Sequence, residues 1–241
     1  MIYKILKNIK AKIKNDPCES NEKFIEHLRG KGVHVGKHCT FYSPSTVDID
    51  ATTPHMLYIG NYVRVTSGVQ ILTHDYSLSV VCSVVGDVVG SIRKTIIGNN
   101  VFIGRNAIIL RGVTIGDNVI IGAGSVVAHN CESNSVYAGV PARKICSLEE
   151  MYKKWKKVEK EDAKNLAITY YQCTGKVPDA EVLREFQMLF TDRKKYQTPP
   201  NSLKRLMEDS GHYEKCYDYY TNHEPEFESI EEFLKWCGIP K

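Results

Sequence analysis

Nothing in this 241-residue chain approaches the ~18 consecutive apolar residues that a bilayer-crossing helix needs. The opening Met-Ile-Tyr-Lys-Ile-Leu-Lys lacks the uninterrupted apolar core of a secretory signal, so a cytoplasmic location is expected. Eight cysteines are scattered without a Cys-x-x-Cys pair or a Cys–His cluster at metal-ligand spacing. Reduced thiols follow, and no metal is expected. A dense basic stripe is missing too. The net charge of +4 divides into 16 basic and 10 acidic groups over residues 1–147 and 16 and 18 over residues 148–241. A nucleic-acid partner is therefore not expected, whereas a mild positive field suits a phosphorylated small molecule. Disorder is excluded by 42% apolar content with 25% charged residues.

What the chain does have is a period of six. Ile97, Ile103, Ile109, Ile115, Ile121 and Val127 stand six residues apart, all β-branched and apolar. Four places after each come Val101, Ala107, Val113, Val119, Ser125 and Cys131, all small or β-branched, and Gly98, Gly104, Gly116 and Gly122 follow four of the anchors directly. A helix would smear such a period around its circumference. A β-solenoid accommodates it: each unit is a short strand and a turn, the anchor points inward, and three units close a triangular coil of eighteen residues. Glycine tolerates the positive φ that sharp corners require.

The same step appears earlier, with anchors Val35, Phe41 and Val47 and small residues Cys39, Ser45 and Ala51, then Ile59, Val65 and Ile71 after an interruption at residues 52–58. From about Thr73 to Lys94 the chain leaves on an excursion rich in valine and glycine. Long departures from a regular scaffold are where function tends to sit. Before the repeat, Ile2, Ile5, Leu6, Ile9 and Ile13 predict a basic amphipathic helix that caps the solenoid end or rests weakly on an anionic membrane surface through residues 2–14. Ser20 N-caps a second helix carrying Phe24, Ile25 and Leu28. Beyond Cys146 helical spacing takes over: a long helix from Leu148 that ends at Gly175 and Pro178, then helices over 179–190, 202–209 and 229–237. The expected organisation is a cap (1–32), a solenoid (33–147) with its excursion at 73–95, and a helical extension (148–241). That extension holds 14 of the 23 Tyr, Phe and Trp residues, enough for a small core of its own.

Ile-Gly-Asn-Asn-Val-Phe-Ile-Gly (97–104), Ile-Gly-Asp-Asn-Val-Ile-Ile-Gly-Ala-Gly-Ser-Val-Val (115–127) and Ala-Gly-Val-Pro-Ala-Arg (138–143) resemble the hexapeptide-repeat acyltransferases. Within that group the look is of the galactoside, maltose and capsule-sugar O-acetyltransferases and the xenobiotic acetyltransferases. The resemblance covers about residues 33–147. It implies a mainly β protein, a left-handed parallel β-helix, although the general rule for parallel crossovers predicts the opposite hand. It also implies acetyl-CoA as acyl donor, a small-molecule or glycan acceptor in polysaccharide biosynthesis, and a homotrimer with active sites between subunits.

Ile-Leu-Thr-His-Asp-Tyr-Ser (71–77) places His74 at the junction where the resembling enzymes carry their catalytic histidine. A sugar hydroxyl attacks a thioester poorly until a base takes its proton, and imidazole accepts protons near neutral pH. His74 is thus expected to be the general base for direct attack, without an acyl-enzyme. Asp75 is adjacent, yet neighbouring side chains on an extended segment face opposite ways, so it joins Asn61, Arg64 and Tyr76 as an acceptor-side candidate. By resemblance, Phe102 and Arg105 fall where an aromatic residue and a backbone N–H meet the thioester, and the backbone at Ala123 meets the pantetheine arm. On the same footing Arg143 and Lys144 meet the phosphates, and His129 substitutes for a cation common in relatives.

Three other readings fit parts of the pattern. Transfer to an amine would make the chain an N-acetyltransferase of an amino-sugar nucleotide or an antibiotic. A γ-type carbonic anhydrase on the same coil requires three converging histidines, for which His34, His38 or His55 would have to join His74 and His129. A non-catalytic solenoid scaffold would bind no acetyl-CoA.

Overall fold

A computed structural model of the chain describes residues 16–193, 195–196 and 198–240. The basic helix expected at residues 2–13 and any membrane contact through it lie outside them. The described chain forms two compact units divided between Met151 and Tyr152.

In the first unit the six-residue period becomes short parallel strands. After helix α1 (Asn21–Gly30), the first coil contributes β1 (His34–Val35), β2 (Thr40–Phe41) and β3 (Asp48–Ile49), and the second β4 (Leu57–Ile59), β5 (Arg64–Val65) and β6 (Gln70–Ile71). The excursion follows, carrying helix α2 (Leu78–Val85). A third coil adds β7 (Thr95–Ile97), β8 (Val101–Ile103) and β9 (Ile108–Ile109), and a fourth β10 (Thr114–Ile115), β11 (Val119–Ile121) and β12 (Val126–Val127). Stacked, they make three walls: β1-β4-β7-β10, β2-β5-β8-β11 and β3-β6-β9-β12. An antiparallel hairpin, β13 (Ser135–Gly139) and β14 (Ala142–Ser147), completes the second wall.

Register explains the core. Arg64 pairs with Phe102 and Phe102 with Ile120, facing outward, so Val65, Ile103 and Ile121 stack inward between them. Ile59, Ile71, Ile97, Ile103, Ile109, Ile115 and Ile121 are all fully buried. Each contributes roughly 1.5–3 kcal/mol of burial relative to exposure. Cys131 occupies a small inward position, where burial pushes its thiol up to about 12, and all eight cysteines are free.

The corner between the first and second walls is held by polar ladders. The side-chain oxygens of Asn61, Asn99 and Asp117 accept from the backbone N–H groups of Lys37, Asn61 and Asn99 at 2.8, 2.9 and 2.6 Å. Beside them Asn100, Asn118 and Asn134, all at positive φ, pass amide hydrogen bonds from coil to coil at 2.9 Å.

The first coil departs from strict period. Pro44–Thr46 makes a 3₁₀ turn, so the third strand begins at Asp48, and Ile49 rather than Val47 pairs into its wall, opposite Ile71. Ser45 is consequently exposed instead of sitting in a small inward position. Proline at the start of that turn sets the φ a tight turn uses. The open edge of this coil is covered by α1. Asn21 donates to the Cys39 carbonyl and accepts from the Phe41 N–H, Arg29 donates to the carbonyls of Val35 and Gly36, and Phe24 packs edge-on against Phe41 at 5.0 Å.

The second unit is helical. From α3 (Leu148–Thr174), Ala163 and Ala167 enter a core with Leu183, Phe190, Phe227 and Phe233. The helix expected over 179–190 is replaced by turns and a 3₁₀ stretch at Arg184–Leu189. The Asp179 carboxylate accepts the N–H groups of Glu181 and Val182, favouring a turn. Helices α4 (Asn201–Asp209), α5 (Tyr213–Asn222) and α6 (Ile230–Trp236) follow. Of these, α5 was not anticipated, although Tyr213, Tyr217 and Tyr220 stand at helical spacing and their rings stack in sequence.

Candidate active site

His74 lies just past β6, where the chain turns from the third wall toward the first. Its backbone is fixed by the base of the excursion: Asp75 N–H donates to Ser91 O at 3.0 Å, Arg93 N–H donates to Thr73 O at 2.9 Å, and His74 bridges Ile92 antiparallel. Its ring is fixed from the coil below. The Nδ1 atom lies 2.5 Å from Asp50 Oδ2, and the Tyr76 ring packs against the imidazole, tilted by 52° with centroids 4.3 Å apart.

Asp50 is 7% exposed. Burial pushes its carboxyl up, but hydrogen bonds from the hydroxyls and backbone N–H groups of Thr52 and Thr73 more than offset this and hold it well below the usual carboxylate range. An ionised carboxylate only accepts, so Nδ1 must carry the proton and donate it. In the neutral imidazole that tautomer keeps the lone pair on Nε2, the state a general base needs.

This ring opens on a groove of about 550 Å³ lined by Leu72, Tyr76, Arg93, Leu110 and Arg111 among others. Asp75 faces away from Asp50 and pairs with Arg111, Nε to Oδ2, at 3.8 Å. Hydrogen bonding from Ser77, and less strongly Arg111, keeps the Asp75 carboxyl low. Tyr76 and Asp75 thus gather with His74. Asp50, Thr52, Thr73, Arg93 and Arg111 were missed by the sequence reading. Asp50 lies 24 residues before His74 rather than a coil length of eighteen: the interruption at residues 52–58 lengthens the coil, so that Ile49 stands opposite Ile71, and His74 lies two residues beyond the position opposite Asp50.

Other candidates sit elsewhere. Asn61 is built into the ladder at the corner of the first and second walls, and Arg64 points outward from the second wall in line with Phe102. Phe102, Arg105 and Ala123 lie on that wall or on its corner with the third, the Gly124 N–H donating to Arg105 O at 2.7 Å. His129 is exposed at the third-to-first corner, one residue past Ala128 of the groove. Arg143 is exposed on β14, and Lys144 beside it pairs with Glu132 at 2.8 Å. Within one chain, then, the expected base and the expected thioester contacts occupy different corners of the prism. Histidines needed for a zinc reading are likewise apart: His34 stacks on Tyr58 and His38 on Tyr62.

The excursion itself is apolar and uncovered. Helix α2 has no buried residue, and Val84, Val85 and Val88 are 81%, 70% and 75% exposed.

Residues 94–129 match the family described as bacterial transferase hexapeptide (six repeats). Protein CapG of Staphylococcus aureus is 43% identical over 128 residues, spanning 52% of this chain and 71% of CapG. Among solved structures, a maltose O-acetyltransferase from Clostridium difficile 630 is 29% identical over 55% of this chain and 79% of that one, with a TM-score of 0.39. A galactoside acetyltransferase in complex with coenzyme A is 27% identical over 61% and 80%, with a TM-score of 0.41.

Proposed function

Because the chain belongs to the hexapeptide-repeat bacterial transferases, we propose that it is an acetyl-CoA-dependent O-acetyltransferase acting on a hydroxyl of a sugar or glycan precursor. The observation that carries this reading is the buried Asp50 carboxylate against Nδ1 of His74, whose ring lines an open groove. The substrate class is supported by the resemblance of residues 71–77, 97–104, 115–127 and 138–143 to the sugar O-acetyltransferases.

In this scheme acetyl-CoA supplies the acyl group as substrate. His74 takes the proton of the acceptor hydroxyl as its oxygen forms a bond to the thioester carbonyl carbon. The C–S bond then breaks, and the proton passes to the departing thiolate. Asp50 fixes the tautomer and stabilises the imidazolium that forms. A positioned base contributes ~10²–10⁴ in rate, roughly 3–5 kcal/mol. The residues expected at the coenzyme fit it chemically. Arg143 is exposed and free of acidic partners among the described residues, and Lys144 shares only a solvent-exposed pair with Glu132, so both can meet phosphate oxygens.

The left-handed winding and a homotrimer belong to the same proposal. Placing His74 of one copy against the Arg105–Ala123 corner of another unites groups that a single prism keeps apart. Three-fold closure then repeats one heterologous contact without leaving an open end. The exposed valines of the excursion suit burial in such a contact.

The test is acetyl-CoA turnover against a panel of sugar hydroxyl and amine acceptors. Thiol release with hydroxyl acceptors that depends on His74 sustains the proposal. Turnover confined to amines, or none, removes it.

A further inference from the structure

The groove in front of His74 carries two arginines that the scheme above does not use. Arg93 arrives on the returning limb of the excursion, its backbone N–H donating to Thr73 O. Its stem packs over Gly112, where a Cβ would come within 2.9 Å of Arg93 Cδ. Among the described residues its guanidinium has no hydrogen bond or ion pair. Arg111 enters from the coil above, beside Leu110, and meets Asp75 only at 3.8 Å through Nε, with 27% of its side chain exposed and 44% of the aspartate's. Such a long, solvent-washed pair holds an arginine weakly. The phosphate-binding candidates Arg143 and Lys144 lie on the hairpin of the second wall, away from this groove.

Resting on the function proposed above, we propose that the acceptor is an anionic saccharide, whose carboxylate or phosphate is held by Arg93 and Arg111 while the hydroxyl to be acetylated faces His74 Nε2. The guanidinium fork matches both oxyanions in two-point geometry. A neutral pyranose gives these cations nothing beyond ordinary hydroxyl contacts, whereas an acidic one replaces water around two side chains already aimed into one cleft. Asp75 then acts as an internal stand-in anion: it pre-orients Arg111 in the free protein and gives way when a better-placed carboxylate or phosphate arrives. The excursion acquires a specific role, because it delivers Arg93 to the groove on the same backbone bridge that fixes His74.

The experiment uses the full chain with acetyl-CoA and three acceptors: methyl glucoside, methyl glucuronoside and glucose 1-phosphate. Initial rates give kcat/KM for each, for the wild type and for Arg93→Gln, Arg111→Gln and the double variant. Calorimetric titration of each acceptor reads binding independently of transfer. The expected result is a preference of about ten-fold or more for one or both anionic acceptors, and the identity of the preferred one distinguishes a ring carboxylate from a phosphate. In the double variant that ratio collapses toward one, while the KM for acetyl-CoA holds. Equal use of neutral and anionic sugars overturns the inference. So does a preference that survives both substitutions, or a variant effect that falls on the KM for acetyl-CoA, which would assign the arginines to the coenzyme. If the anionic sugars bind through Arg93 and Arg111 but no acetyl is transferred, this inference stands and the acetyltransferase reading fails. Transfer without charge preference does the reverse, sustaining the acetyltransferase reading and overturning the anionic acceptor.

Discussion

Asp50 Oδ2 and His74 Nδ1 meet at 2.5 Å although 24 residues separate them in the chain. One coil supplies the carboxylate and the next the imidazole, so the pair exists only because parallel coils stack in register, with Asp48 opposite Gln70 and Ile49 opposite Ile71. The carboxylate also accepts from the Thr73 N–H, the residue immediately before the histidine. The scaffold therefore sets the position of the His74 ring and turns its Nδ1 toward the carboxylate.

Replacing His74 with Ala removes the proton acceptor and the hydrogen bond from Nδ1 to the buried Asp50. The expected outcome is a kcat lower by roughly 10²–10⁴-fold with an unchanged circular dichroism spectrum and a melting transition lowered only modestly, because Thr52 and Thr73 still hold the carboxylate. Near-normal turnover in a folded variant would refute the assignment.

Asp50→Asn tests the orienting role. An amide presents N–H to Nδ1 as readily as C=O, so the ring can adopt the tautomer that protonates Nε2, and a loss on the order of 10²–10⁴ in kcat is expected. The KM for acetyl-CoA should move little, because Asp50 is buried behind the ring rather than in the groove. A large rise in that KM with kcat intact would argue against an orienting role.

The same carboxylate predicts an acid limit to stability. Burial raises the Asp50 pKa, but the Thr52 and Thr73 hydrogen bonds outweigh it, so the folded value lies below the unfolded one. The stabilisation is thus complete above the ordinary carboxylate value of ~4 and is lost as pH falls from there toward the depressed folded value. Thermal melts of wild type and Asp50→Asn should differ most near about pH 5, and the gap should narrow steadily as the pH is taken down toward ~2. A constant difference across that range would mean the carboxylate is not held ionised by folding.

How far the sequence could be read follows from the range of each interaction. Ile97, Ile103 and Ile109 announce themselves because an inward anchor every six residues is a local signal, and each is fully buried. The motif around His74 singles it out as a candidate, and the structure places it on a groove. Asp50 was not legible, because its contact crosses two coils of unequal length. Asn61 looked like an acceptor contact because a polar side chain beside the motif coil gives no hint that it spans to Lys37 and Asn99. Arg93 and Arg111 come from different coils and share a groove only after the excursion folds back. In the helical unit, Asp179 turned an expected helix into turns through a side-chain interaction that apolar spacing does not register.

If the base of one copy works on a thioester held by another, the assembled state is the active one. Light scattering on the purified 27.3 kDa chain should give three times that mass, and activity per chain should fall on dilution in step with dissociation. A fully active monomer would require the coenzyme to reach His74 by a route within one prism.

The stacking that builds this site also limits what its corners tolerate. A Cβ at Gly60 would lie 2.5 Å from the carbonyl oxygen of Gly98 in the coil above, a backbone segment held by hydrogen bonds from the Gly60 N–H to Ile97 O and from the Gly98 N–H to Ile115 O, each 2.9 Å. At Gly90, in the excursion, an added Cβ would meet nothing within 4 Å. Gly60→Ala must therefore push two coils apart, at a cost of about 1–3 kcal/mol, while Gly90→Ala leaves the melting transition within experimental error. Denaturant titration of the two variants against wild type checks the contrast. Because Gly60 follows β4 in the coil that ends at His74, its substitution should also lower kcat, and equal stability of the two variants would show that the coils are not closely stacked at this corner.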